Sequence, residues 1–365
     1  MKRLKFMKVA LVYDRVNKWG GAERVLLALH KLYPQAPLYT SVYDEKNARW
    51  AQDFDVRTSF LQKAEPLTGY NDKLPFLMPL AFESFNFDDF ELVISVTSEA
   101  AKGILTKPGT RHICYCLTPT RYLWSGYDDY FKSRLFRFIS KPAVTYLKNW
   151  DKIAAQRPDQ YIAISAEVSS RINKYYGRES KVIYPPVTLE KNKTEEERSE
   201  RYYLLVSRFS RGSYYKKVEL AVKAFNRYKE KLLVVGSGPM LADLKKLGNS
   251  NIEFLGEVSD QRLGKLYAGA LSLVFPGRED FGLVMAEAQS FGTPVIAYKE
   301  GGATEIIEEG VSGELFEHQT EDSLLEALKR FEGKSYNKAD IKRNSERFSF
   351  ENFKTEFLNF VNGTL

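Results

Sequence analysis

Short apolar runs closed by turn residues alternate with helix-period segments, and this alternation occurs twice along the chain. The first series places strands at 8–13, 38–43, 92–97, 112–116 and 160–165. Helices fall at about 22–32, after a Gly20-Gly21 loop, and from the end of the last strand to about 176. A short strand at 182–184 meets Pro185-Pro186, where the series stops. Residues 187–201 are charged and have no apolar period, the pattern of a linker. The series restarts with a strand at 203–207, a helix at 218–229 and a strand at 231–235 that enters Gly236-Ser237-Gly238-Pro239. Further strands follow at 252–255 and 271–275. Strands and helices that alternate in this way build mostly parallel sheets covered by helices. The expected fold is therefore α/β, with two similar α/β halves at 1–186 and 202–345, the linker between them, and a cleft where they meet. A last helix within 346–365 carries Phe353, Phe357 and Phe360 at a spacing that suits one buried face.

Residues 279–298, EDFGLVMAEAQSFGTPVIAY, carry the chemistry in the second series. Leu283, Val284, Met285, Ala286, Ala288 and Phe291 form a helical apolar face, ended by Gly292 and Pro294. A short strand at 295–297 then leads through Gly301-Gly302 to a second helix at 304–309. The first helix starts near Phe281-Gly282-Leu283, where a glycine permits close approach and the first N–H groups suit a phosphate. If the whole interval were helical, Glu279 and Glu287 would lie roughly 12 Å apart. A diphosphate with a sugar on each side has about that length, so the segment reads as a grip on both ends of a sugar nucleotide.

Composition narrows the partners. With 365 residues, 44% hydrophobic and 28% charged, the chain is globular and long enough for two cores. Its formal charge of +7 suits a phosphorylated substrate or an anionic membrane. Nucleic acid is not indicated, because no helix-turn-helix, zinc-finger or RNP-like signature occurs. Cys114 and Cys116 share one face of a strand and make neither a disulfide framework nor a metal motif, which points to a reducing compartment. The basic start reads as the lead of the first strand and not as a signal peptide. Sequons at Asn192 and Asn362 carry no meaning without a secretory route. Asp53-Phe54-Asp55 has a metal-diphosphate spacing, but it does not follow a buried strand and reads as chance. Asp128-Asp129 reads as solvated. Two stretches suit a lipid surface as well as a core edge: the proline-broken run 74–80, and 131–139, which mixes cations and aromatics without acids.

Several motifs together resemble the retaining, metal-independent glycosyltransferases of family four. These are Trp19-Gly20-Gly21-Ala22-Glu23, CYCLTPTRYLW (114–124), VIYPPV (182–187), SRF with YKKVELAVKAF (215–225), VGSGP (235–239) and the two-glutamate segment. The resemblance covers residues 7 to about 357. It implies the GT-B architecture, two facing Rossmann-like domains with the C-terminal helix returning to the first. Acceptor binding would fall to the first domain and nucleotide-sugar binding to the second, with closure excluding water. The 112–124 stretch is most similar to bacterial mannosyltransferases and related enzymes of surface-polysaccharide assembly.

What the resemblance implies for single residues follows the same motifs. Glu279 would lie beside the donor sugar and accept its hydroxyls, and Glu287 would hold the ribose. Phe281, Gly282 and Leu283 would offer backbone N–H groups to the diphosphate. Arg208 and Lys216 would neutralise the leaving diphosphate. Their spacing is wider than the family's usual one, so Arg211 or Lys217 could share that role. Gly20, Gly21, Gly236, Ser237, Gly238 and Val258 would border the donor. Thr118, Pro119 and Arg121 would face the cleft on the acceptor side. Leu117 stands where many relatives carry a histidine, which leaves the protein without an evident general base.

The expected activity is transfer of a sugar, with mannose favoured, from a GDP or UDP donor to a hydroxyl of a lipid-linked or surface glycan. No metal or other cofactor is implied. The expected setting is cytoplasmic, with peripheral contact on the inner membrane face. A GT-B-like sugar-nucleotide epimerase and a non-catalytic sugar-nucleotide binder are the alternatives.

Overall fold

The computed structural model describes residues 7–64, 75–131, 133–189, 201–209 and 216–363. The basic lead, Leu74, Lys132, Asn192, Arg211 and most of the linker lie outside these residues. Two compact units divide between Pro185 and Pro186, at the proline pair that ended the first series.

The first unit contains β1 (Val9–Tyr13), α1 (Gly21–Leu32), β2 (Leu38–Thr40), β3 (Val56–Thr58), α2 (Met78–Glu83) and β4 (Leu92–Thr97). It continues with β5 (Arg111–Cys116), α3 (Tyr127–Tyr130), α4 (Arg134–Ala154), β6 (Gln160–Ala163), α5 (Ala166–Tyr176) and β7 (Lys181–Val182). The strands form a parallel sheet in the order β3-β2-β1-β4-β5-β6-β7. β1 and β4 are buried along their whole length. Helices cover both faces of such a sheet, so its central strands read as continuous apolar runs and not as alternating ones. One core cluster gathers Val12, Phe82, Phe87, Val93 and Ile104, and each such side chain contributes about 1.5–3 kcal/mol by leaving water.

The second unit contains β8 (Tyr203–Val206), α6 (Val218–Tyr228), β9 (Leu232–Val235), α7 (Leu241–Leu247), β10 (Ile252–Gly256), α8 (Asp260–Gly269) and β11 (Leu273–Phe275). α9 (Leu283–Ser290), β12 (Val295–Tyr298), α10 (Ala303–Ile306), β13 (Gly313–Phe316), α11 (Glu321–Glu332), α12 (Lys338–Ser345) and α13 (Phe350–Asn362) complete it. Its parallel sheet has the order β10-β9-β8-β11-β12-β13. Both units therefore wind outward from their first strand in one direction and from their fourth in the other. Ligands bind such sheets beyond the carboxyl ends, where the order reverses: β1/β4 in the first unit and β8/β11 in the second.

The chain enters the second unit with Val187, whose N–H donates to Phe348 O at 2.8 Å. Phe353, Phe357 and Val361 of α13 are buried, and that helix is grouped with the second unit. The helix expected at 304–309 is a single turn, α10, and the strand expected at 38–43 stops at Thr40.

His112 is fully buried on β5, with Nε2 2.8 Å from Ser95 Oγ. Burial, with Arg157 and Arg178 adding positive charge nearby, lowers its pKa from 6.5 to about 3. Between those values the unfolded chain takes up a proton that the folded one refuses, so stability falls as pH drops through this window. We expect a slope of roughly 1.4 kcal/mol per pH unit there. Urea melts at several pH values should show a slope shallower by about that amount in His112→Leu than in the native chain.

Candidate active site

The carboxyl ends of β8 to β12 gather the residues that the sequence singled out in the second unit. Beyond β8 and β9 the backbone is laced. Ser207 N donates to Val235 O at 3.0 Å, Phe209 N to Ser237 O at 2.8 Å, and Met240 N to Phe209 O at 3.0 Å. Gly236 and Gly238 have φ of 134° and 146°. A Cβ added to them would stand 1.8 Å from Ser207 O and 2.5 Å from Phe209 O. These glycines thus let two loops of the same sheet edge touch. Ser237 Oγ donates to Glu257, and Val258 next to it is half-buried.

Glu279 sits beyond β11 and pairs through Oε1 with Lys216 Nζ, which lies at the start of α6 beyond β8. Both side chains are mostly covered, at 18% and 15% exposure. Two residues 63 apart in sequence thus meet where the strand order reverses. Lys217 is exposed and left-handed, with φ 50°, and Arg208 is exposed at the end of β8. Of the cations offered by sequence within the described residues, Lys216 is the one placed on Glu279.

The backbone carrying Glu279 is clamped from β12. Gly302 N donates to Glu279 O at 2.9 Å, and Gly301 bridges Glu279. A Cβ on Gly301 would lie 2.3 Å from Glu279 O, and one on Gly302 would lie 1.9 Å from Phe281 O. The sequence offered this glycine pair only as a turn; its structural work is to seat the glutamate loop. Phe281 anchors the loop's other end, 3% exposed, with its ring edge-on to Phe348 at 5.4 Å.

Gly282, at φ 92°, precedes α9. The interval between the glutamates is therefore loop from 279 to 282 and helix only from Leu283, which corrects the all-helical estimate of its span. Glu287 is 2% exposed and accepts the Tyr267 hydroxyl at Oε2, 3.0 Å away. Behind it, Gln289 donates to Ser312 Oγ and accepts from Asn344, which fixes the far end of α9.

The switch point of the first unit is also polar. Asp14, at the end of β1, accepts Thr97 Oγ1 and the N–H groups of Ser98, Ala100 and Ala101 at 2.8–2.9 Å. Arg15 pairs with Glu99, which also accepts the Tyr122 hydroxyl. Sequence reasoning placed neither Asp14 nor Glu99 among the site residues. Gly20 and Gly21 open α1, where Glu23 is buried and accepts the Tyr13 hydroxyl at 2.8 Å.

The turn that holds Thr118, Pro119 and Arg121 is built inward. Thr118 and Pro119 are buried and Arg121 is half-buried. Thr120 Oγ1 donates to Asp151 at 3.0 Å. Asp151 also receives Lys102 Nζ at 2.5 Å, Trp124 Nε1 at 2.7 Å and the Tyr176 hydroxyl at 2.8 Å. Burial works against the Lys102 charge, but Asp151 outweighs it and raises the ammonium pKa. Asp55 of the literal D-x-D pairs with Arg57 at 2.8 Å. Among the described residues, no group of three His, Cys, Asp or Glu is placed to hold a metal ion.

The model of the family described as glycosyl transferases group 1 matches residues 187–348. An uncharacterized glycosyltransferase of Methanocaldococcus jannaschii is 33% identical over 175 residues, 44% of each chain. O-antigen chain mannosyltransferase C of Escherichia coli is 26% identical over 215 residues, 54% of this chain and 55% of that one. The chain spans about half the length of the curated relatives it matches. Among solved structures, Anabaena HepE in complex with UDP-glucose superposes with a TM-score of 0.73. That superposition covers 98% of this chain and 100% of that one at 19% identity, and it shows a shared fold. The fold is of the GT-B glycosyltransferase type, with two Rossmann-like domains on parallel sheets.

Proposed function

We propose that the protein is a retaining, metal-independent glycosyltransferase that takes its donor sugar from a nucleoside diphosphate. The observation that carries this reading is the covered Lys216–Glu279 pair at the β8/β11 switch, within residues that match group 1 glycosyl transferases. A donor diphosphate set against Lys216, with Arg208 nearby in sequence, would draw the ammonium onto phosphate and leave Glu279 to accept sugar hydroxyls. Such charge-assisted bonds contribute roughly 1.5–3 kcal/mol each. Backbone N–H groups of Phe281, Gly282 and Leu283 would complete the diphosphate contact, and Glu287 would take the ribose hydroxyls.

The reaction needs no group beyond these. The anomeric carbon–oxygen bond breaks toward the diphosphate, Lys216 stabilises the growing negative charge, and the departing phosphate oxygen takes the acceptor proton. The acceptor oxygen then bonds to carbon on the same face, so configuration is kept. Mannose from GDP-mannose is the favoured donor, in keeping with the mannosyltransferase relative. UDP-glucose is the alternative raised by the HepE complex. The acceptor is a lipid-linked or surface glycan, approached by the first unit through Arg121, with the protein at the inner membrane face.

Incubation with a panel of UDP- and GDP-sugars should release nucleoside diphosphate slowly from one of them, and chelation by EDTA should not stop it. A requirement for Mg²⁺ would overturn the metal-free reading. An epimerised sugar nucleotide with no diphosphate released would identify an epimerase instead. Binding without turnover would leave a non-catalytic sugar-nucleotide binder.

A further inference from the structure

α4 is the longest helix among the described residues, and its outward face is the reverse of an ordinary surface helix. Val144, Leu147, Asp151 and Ala154 point inward, with Val144 and Leu147 packed in a cluster with Leu123 and Phe131. On the opposite side, Leu135 is 68% exposed, Phe138 78%, Ile139 65%, Tyr146 53% and Ile153 62%. At about 100° per residue these five fall within an arc of about 100°. Pro142 lies in the same arc and is also exposed. The exposed amide of Asn149 also falls in this arc, but soluble surfaces rarely leave so large an apolar stripe uncovered.

Charge identifies what covers it. Arg134, Arg137, Lys141, Lys148 and Lys152 occupy an adjoining arc of about 60°. The helix's only acid, Asp151, is buried on the far side. Among the described residues, one acid outside the helix meets the cationic flank, Asp128, paired with Arg137 at 2.9 Å. Lys148 and Lys152 lie over the Trp124 ring at 5.5 and 5.6 Å, which keeps positive charge beside the stripe. A second copy docking through this face about a two-fold axis would bring the same cationic flank to the shared interface and gather like charges there. An anionic lipid surface satisfies both arcs at once: acyl chains take the apolar side chains and headgroups take the cations. No helix among the described residues is long and apolar enough to cross a membrane, so α4 would lie in the interface plane.

We propose that α4 is a lipid-docking helix that seats the first unit on an anionic membrane, with Leu135, Phe138, Ile139, Tyr146 and Ile153 immersed and the cationic flank at the headgroups. This rests on the peripheral-membrane part of the function above and gives it a surface; it does not depend on the donor chemistry.

The test is sedimentation of the full chain with vesicles of phosphatidylcholine alone or with added phosphatidylglycerol. Binding should require the anionic lipid and weaken with salt. Leu135→Ser/Phe138→Ser/Ile139→Ser should lower the vesicle partition coefficient about tenfold or more. Arg134→Gln/Lys141→Gln should lower it about fivefold per charge removed. Nucleoside diphosphate binding and slow donor hydrolysis, read on the same preparations, should match the native chain. Equal sedimentation by native chain and triple variant would overturn the proposal. So would a concentration-dependent dimer in analytical ultracentrifugation that the triple variant abolishes, because a second copy would then own this face. Failure of vesicle binding with donor hydrolysis intact refutes the docking helix alone. Vesicle binding without any donor hydrolysis refutes the transferase reading alone.

Discussion

Glu279→Ala is expected to lower sugar transfer by about 10²–10³-fold, the cost of losing one preorganised electrostatic contact to the reacting group. The structure adds a second expectation for the same variant. Lys216 Nζ pairs with Glu279 Oε1, so removing the carboxylate releases an ammonium that stands among the proposed phosphate contacts. Nucleoside diphosphate affinity should therefore hold or tighten while turnover collapses. Lys216→Met should behave differently: diphosphate binding and transfer should both weaken, because the cation serves the leaving group in the ground state and more so as charge grows. Calorimetric titration with GDP and UDP, run beside initial rates, separates the two variants. A Glu279→Ala chain that transfers at the native rate would remove that residue from the site.

The contrast between the two residues also marks how far sequence alone reaches. Central strands such as 92–97 and 232–235 were legible because both faces are buried and the run is apolar throughout. The outer strands β3 (VRT) and β13 (GELF) were not, since they are short, partly polar and held by pairing with a neighbour. α4 escaped because apolar residues on both of its faces blur the helical period. At the candidate site the residue types were legible and their pairings were not. Glu279 meeting Lys216 depends on two loops from different strands. The clamp by Gly301 and Gly302 depends on a backbone approach that no spacing rule encodes. The buried Lys102–Asp151 pair joins residues 49 apart, each of which reads as an ordinary surface charge in its own segment.

That pair carries the largest stability effect expected in the molecule. Asp151 accepts from Lys102, Thr120, Trp124 and Tyr176, and both ion-pair side chains are 1% exposed. Asp151→Ala would leave an ammonium buried without its counter-charge and three neutral donors without their acceptor. Breaking a buried pair from one side costs about 3–5 kcal/mol, which urea unfolding monitored by tryptophan fluorescence would read. Lys102→Met should cost less, because Asp151 keeps three donors and Met fills most of the same volume. Since pairing raises the Lys102 pKa above 10.5, its share of stability is complete at neutral pH and fades only as pH rises past that value. The local consequence matters as much as the total. Thr120 and Trp124 tie the 118–124 turn to Asp151, and Arg121 sits between them. In Asp151→Ala, studied where it remains folded, KM for the acceptor should rise while donor hydrolysis, assigned to the second unit, stays near native. Loss of both in parallel would mean that the turn does not serve the acceptor separately.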